Sequence, residues 1–198
     1  MLAGLTITRY ERANYRDVLD LIYSQFHVHT HFDWYTTERW LDYQSVPVLL
    51  AWHEGKLQGV LGAADPLSGT SWLRLVVVRD SAAIEQVLRA LWEIMRETLK
   101  PLGVKNVWML AASDWLMAYA AVFGAQPVER IVTLRRDERS LPPLRNSAVR
   151  IRPAEWQDLS DMTRVDHAAF SAPWQLSLTD LRQAMRLAAS CTVAMLDD

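Results

Sequence analysis

Ser71-Trp-Leu-Arg-Leu-Val-Val-Val-Arg-Asp-Ser-Ala-Ala-Ile-Glu-Gln-Val-Leu-Arg-Ala-Leu-Trp92 reads as a strand, a loop and a helix in one run. Residues Trp72 to Val78 are too continuously apolar to leave one face wet, which predicts a central strand covered on both sides. Further on, Ile84, Val87, Leu88, Leu91, Trp92 and Met95 recur at spacings of three and four, while Glu85, Arg89, Glu93 and Arg96 fall outside that stripe. This is the pattern of a helix with one buried face. Lys100-Pro101 ends it, because proline cannot continue a helix.

Upstream, Val46 to Trp52 and Leu57 to Ala64 flank the turn His53-Glu-Gly-Lys56 and predict a hairpin, followed by the turn formers Asp65-Pro-Leu-Ser-Gly69. Downstream, Val104 to Ala111 reads as another buried strand. Ser113 or Asp114 can cap a helix through Phe123 that Gly124 closes, and Ile131 to Leu134 is expected as a last strand. At the start of the chain, Leu5 to Arg9 alternates as a strand does. Asn14 can cap a helix with Tyr15, Val18, Leu21, Ile22 and Phe26 on one face, and after a loop Thr36 or Thr37 opens a short helix with Trp40 and Leu41 inward. The fold class is therefore α/β (α+β), a mixed central sheet flanked by helices, with a strand-helix-strand unit long enough for a right-handed parallel crossover.

A net charge of −2 without a basic cluster points to no nucleic-acid partner. No apolar run reaches membrane-spanning length, and Met1 to Tyr10 lacks the charged and apolar regions of a signal peptide. The single cysteine, Cys191, excludes an intrachain disulfide and fits a reducing compartment, so a cytoplasmic protein is expected. Most of the nine tryptophans fall on apolar faces and read as core.

Asp137-Glu-Arg-Ser-Leu-Pro-Pro-Leu-Arg-Asn-Ser147 is charged and aperiodic, and residues 138–148 are expected to link a first domain, 1–137, to a second, 149–198. The second repeats the opening of the first. Displaced by 144 residues, Ile7 meets Ile151, Asp17 meets Asp161, Val18 meets Met162, Leu21 meets Val165 and Phe26 meets Phe170. With four residues dropped from the loop, Trp34 meets Trp174 and Leu41 meets Leu181. A repeat of this length means two copies of one domain, the second represented by its first half.

The order hairpin, strand, helix, strand, helix, strand resembles the GNAT superfamily of N-acetyltransferases. In the second copy, Val149-Arg-Ile-Arg-Pro153, Asp166-His-Ala-Ala-Phe170 and Pro173-Trp174 resemble the start of a ribosomal-protein alanine acetyltransferase. The resemblance implies a sheet whose fourth and fifth strands splay apart to admit acetyl-coenzyme A, with the pyrophosphate held by the loop after the fourth strand. It places cofactor contacts at Val76, Val78, Arg79, Ser81, Ala82, Ala83 and Ile84, and substrate-facing positions at His29, His31 and Trp34.

The first copy departs from the family pattern at its site. Ala83 and Glu85 stand at the loop's two glycine positions, and Glu85 with Asp80 brings negative charge where phosphates would sit. Both acids also serve simply as first-turn residues that satisfy the helix dipole. Ala120 stands where the family has its general-acid tyrosine, and Tyr119 is turned away by about 100° around the helix. Glu54 and Asp65 are candidate bases with no feature that favours them, His167 reads as a packed or surface histidine, and the catalytic residues are unassigned. His27, His29, His31 and Asp33 have zinc-ligand chemistry but none of the strong spacings, so no metal is expected.

The resemblance thus implies acetyl transfer from acetyl-CoA to an amine, with a first copy that binds coenzyme A weakly or not at all. A non-catalytic scaffold or dimerisation module is the alternative, and a phosphate binder using Arg79 to Ser81 is a third. A half-domain with an open edge is expected to pair with a second chain through residues 149–198 as a homodimer.

Overall fold

Alternation along three consecutive strands builds the core. In the computed structural model, which describes residues 4–43, 45–135, 137 and 148–196, β3 (Leu49–His53), β4 (Lys56–Ala63) and β5 (Thr70–Val78) form an antiparallel meander. Leu49, Ala51, Leu61, Val76 and Val78 point to one face, where α3 (Ile84–Leu99) packs through Val87, Leu88, Leu91, Trp92 and Met95. Leu50, Val60, Leu75 and Val77 point to the other, under α1 (Tyr15–Ser24) and α2 (Thr37–Tyr43), which bury Val18, Leu21, Trp40 and Leu41. Every residue of β5 except Trp72 is buried, as expected for a strand covered on both sides.

The main sheet has the order β1-β3-β4-β5-β2, with β1 (Thr6–Arg9) on β3 and β2 (His27–Thr30) on the outer edge of β5. Beside β2 on that edge lies β6 (Asn106–Trp108), parallel to β5 at Thr70–Trp72, so the unit β5-α3-β6 is a parallel crossover. Then α4 (Asp114–Ala118) and a 3-10 turn, Ala120–Phe123, run to Gly124, whose φ of 66° is the left-handed close that glycine favours.

Four sequence expectations change. His27 to His31, within the stretch expected as loop between the first two helices, is strand, because its backbone pairs with β5. Phe26 is 90% exposed rather than inward, since α1 has ended at Ser24. Only three residues of Val104 to Ala111 form strand, because β6 has β5 as its partner only at residues 70–72. Ile131 to Leu134 has no strand pairing and its large side chains are exposed.

The chain divides into two compact units, one of residues 1–125 with Phe170–Gln175 and one of 126–169 with 176–198. In the second unit β7 (Val149–Pro153) pairs antiparallel with β8 (Thr192–Leu196), and α5 (Leu159–Ala169) and α6 (Leu178–Leu187) lie between them in sequence. Arg152 makes a two-pronged ion pair with Asp158 at 2.7 and 2.8 Å, and that guanidinium, aided by the Glu155 amide, brings the Asp158 carboxyl down to about 2. Of the expected linker, only residue 148 lies within the described residues.

Candidate functional site

The outer edge of β5 and the loop behind it collect the residues the sequence singled out. Because β5 and β6 pair only as far as Trp72 and Trp108, a gap opens between them beyond that point. Strand β2 fills it. His27, Val28, His29 and Thr30 stand opposite Val78, Val77, Val76 and Leu75, and the His31 amide donates to the Arg74 carbonyl at 2.8 Å. Antiparallel pairs alternate between bonded and non-bonded, so His31 with Arg74, His29 with Val76 and His27 with Val78 are the bonded ones. The backbone groups of Val76 and Val78 that face outward are therefore already satisfied.

The loop is equally engaged. The Asp80 carboxylate accepts from the Phe26 amide at 3.1 Å and the His27 amide at 3.3 Å, and lies 2.5 Å from His27 Nδ1. Its own amide donates to Gln25 Oε1 at 2.8 Å. Burial raises its pKa, but the Phe26 amide and both His27 donors outweigh that and hold it below the usual carboxylate range. From the far side α4 closes over β2, with Trp115 Nε1 donating to the Val28 carbonyl at 3.3 Å.

The other expected cofactor positions are occupied in local structure. Arg79 turns its Nε to the Leu57 carbonyl at 2.9 Å and its amide to Gln58, both on β4. The Ala82 amide closes a turn on the Arg79 carbonyl, Ser81 is exposed in that turn, Ala83 precedes α3 without a side-chain cap, and Ile84 is its first residue. Glu85 reaches Arg89 at 2.7 Å, an exposed pair one turn apart. Ala120 opens the 3-10 turn, and Tyr119 packs against the core.

Among the expected substrate-facing residues, His29 is buried, only 4% exposed, so it faces protein rather than solvent. His31 is half-buried against Trp72, and Trp34 is 39% exposed. Of the candidate bases, Asp65 binds the Ser45 and Val46 amides and the Ser45 hydroxyl, which makes it a loop brace, and Glu54 sits exposed in the β3–β4 turn. In the second unit His167 Nε2 lies 2.9 Å from the Leu176 carbonyl, which makes it a half-buried structural contact. Among the described residues, no three of His, Cys, Asp and Glu are grouped to hold a metal ion. None of their helices is long and apolar enough to cross a membrane. Trp115 was not connected to the site by the sequence, and Asp80 was connected to it only as charge in the loop; the period-two run His-Val-His-Thr-His was the signal for the strand they hold.

The sequence matches no family model and no curated protein. Solved structures do match. The aminoglycoside antibiotic 6'-N-acetyltransferase AAC(6')-Ih from Acinetobacter baumannii is 20% identical with a TM-score of 0.54, over 68% of this chain and 99% of that one. A ribosomal-protein-alanine N-acetyltransferase from Brucella melitensis gives 13% and 0.53, over 67% and 99%. AAC(6')-Iy in complex with a CoA-linked bisubstrate analogue gives 12% and 0.51, over 68% and 99%. This chain has the GNAT fold.

In GNAT terms β5 and β6 are the fourth and fifth strands, and the gap between them is where the resemblance puts acetyl-CoA. The first unit does not fit that group. An arm laid along β5 finds its backbone partners taken by β2, and a diphosphate finds the Asp80 carboxylate at the loop where it needs bare amides. Sequence reasoning reached the same weakness through Glu85 and Ala120, but the strand in the gap is a separate obstacle.

Proposed function

We propose that this is a protein of the N-acetyltransferase class, its reaction the transfer of acetyl from acetyl-CoA to an amine, in which the first unit is a non-catalytic copy of the fold. The acetyltransferase part rests on the likeness of fold. The observation that carries the non-catalytic part is β2 lying along Leu75–Val78 in the gap between β5 and β6. With Ala120 in place of the general-acid tyrosine that the resemblance implies, the first unit also lacks a proton donor at that position. The second repeat, whose β7, α5, α6 and β8 follow the order of β1, α1, α2 and β3, carries no counterpart of β5 and β6 among the described residues. The first unit then serves as a scaffold.

The test is a coenzyme A release assay with acetyl-CoA and a panel of primary amines, run with a thermal-shift titration of the 198-residue chain. A ligand at a hundred times its dissociation constant stabilises by about 2.7 kcal/mol, which such a titration resolves. The first unit is expected to give neither release nor stabilisation. Turnover that Ala83→Glu or Arg79→Ala abolishes would place the chemistry in the first unit and overturn the proposal.

A further inference from the structure

The histidines of His27-Val-His-Thr-His31 have no part in the proposed reaction. Alternating along a strand, they share one face, and they are the three residues whose backbone is bonded to β5. Each ring meets a different wall. His27 lies against Asp80 and edge-on to Trp115, at 5.4 Å between ring centres. His29 is buried, with Nε2 3.3 Å from the Leu73 carbonyl. His31 stacks on Trp72 at 4.8 Å, and its buried Nδ1 has no hydrogen-bond partner among the described residues. A proton at that nitrogen would sit buried and unpaired, and Arg74, which pairs with Asp33, repels it.

We propose that β2 is an acid-released plug: a strand of the chain's own that stays on β5 while its histidines are neutral and leaves when they are protonated, baring the β5 edge at Arg74, Val76 and Val78. The inference stands apart from the acetyl-transfer reading, because it concerns what closes the edge rather than what the protein catalyses. Release is local, since β2 is four residues long and the meander beneath it keeps β4 on its other side.

The sign follows from the surroundings of each ring. Burial lowers the pKa of His29, and burial, then Arg74 and His29, push His31 down to about 4. Released rings take up protons near 6.5, so the hold of β2 is complete above that pH and is lost as pH falls from 6.5 through 4. With His31 at about 4 when bound and 6.5 when free, acidifying to about pH 4.5 favours release by roughly 80-fold from that ring alone. His29 adds in the same direction. The two inner histidines, His29 and His31, drive release.

Amide hydrogen exchange followed by NMR on the whole chain tests this, because β5 carries its own control. The amides of Arg74, Val76 and Val78 face β2, and those of Leu75 and Val77 face β4. Between pH 7 and 4.5, with intrinsic exchange rates corrected, protection of the first three is expected to fall by about 60-fold or more while Leu75 and Val77 keep theirs. Equal loss at all five amides would mean global unfolding, and equal retention would mean the strand stays, and either result overturns the proposal. In His31→Phe the drop should shrink, and an unchanged drop would remove the histidines from the device.

Discussion

At Gly62 the main chain of β4 lies so close to α2 that a Cβ would stand 2.5 Å from the Trp40 ring. Trp40 cannot yield easily, since it is 6% exposed and has the Arg74 guanidinium 5.0 Å over its ring. Gly62→Ala is therefore expected to lose about 1–3 kcal/mol by overpacking. Urea unfolding of the variant checks it, and a loss within about 0.5 kcal/mol, the range of ordinary surface changes, would show that the helix shifts freely. The same scale explains why the loop residues were legible only in part. That Asp80 and Glu85 are wrong for a phosphate cradle follows from their charge alone. That Asp80 is instead the anchor for the Phe26 and His27 amides depends on a contact across more than fifty residues of chain.

Among the elements, α3 was the easiest to read and the least altered by the fold. Its stripe of Val87, Leu88, Leu91, Trp92 and Met95 is buried, and Leu91 has no exposed surface. Leu91→Ala should cost roughly 2–5 kcal/mol through the cavity it leaves. Chemical denaturation measures that cost, and a loss under about 1 kcal/mol would mean that the helix settles differently on the sheet. Strand β2 is the opposite case. Four residues, three of them polar, are a weak strand signal despite Val28 and Thr30, and what makes them a strand is a vacant row of backbone groups on β5. Ile131 to Leu134 shows the converse, an apolar run that forms no strand.

On the scale of the molecule, both apolar clusters draw their residues from Leu5 to Phe123. A chain truncated after Ala125 is therefore expected to melt in one cooperative transition by circular dichroism. A broad, non-cooperative melt would show that Phe170–Gln175, which belongs to the same unit and accepts the Trp72 indole N–H at the Pro173 carbonyl, is essential to it. Two helix entries 144 residues apart share one local motif. Glu11 and Asn14 exchange backbone and side-chain bonds at one helix entry, and Glu155 and Asp158 do so at the other.

The α/β class, the meander and the crossover helix were legible in the sequence by itself. Those features follow from side-chain periodicity and charge, which are local and written in order along the chain. The tertiary structure alone decided what lies between β5 and β6. Strand pairing joins backbone groups, which every residue carries, so no side-chain pattern at His27–Thr30 names its partner. The partner is set by the one edge of β5 left open where β6 turns away after Trp108.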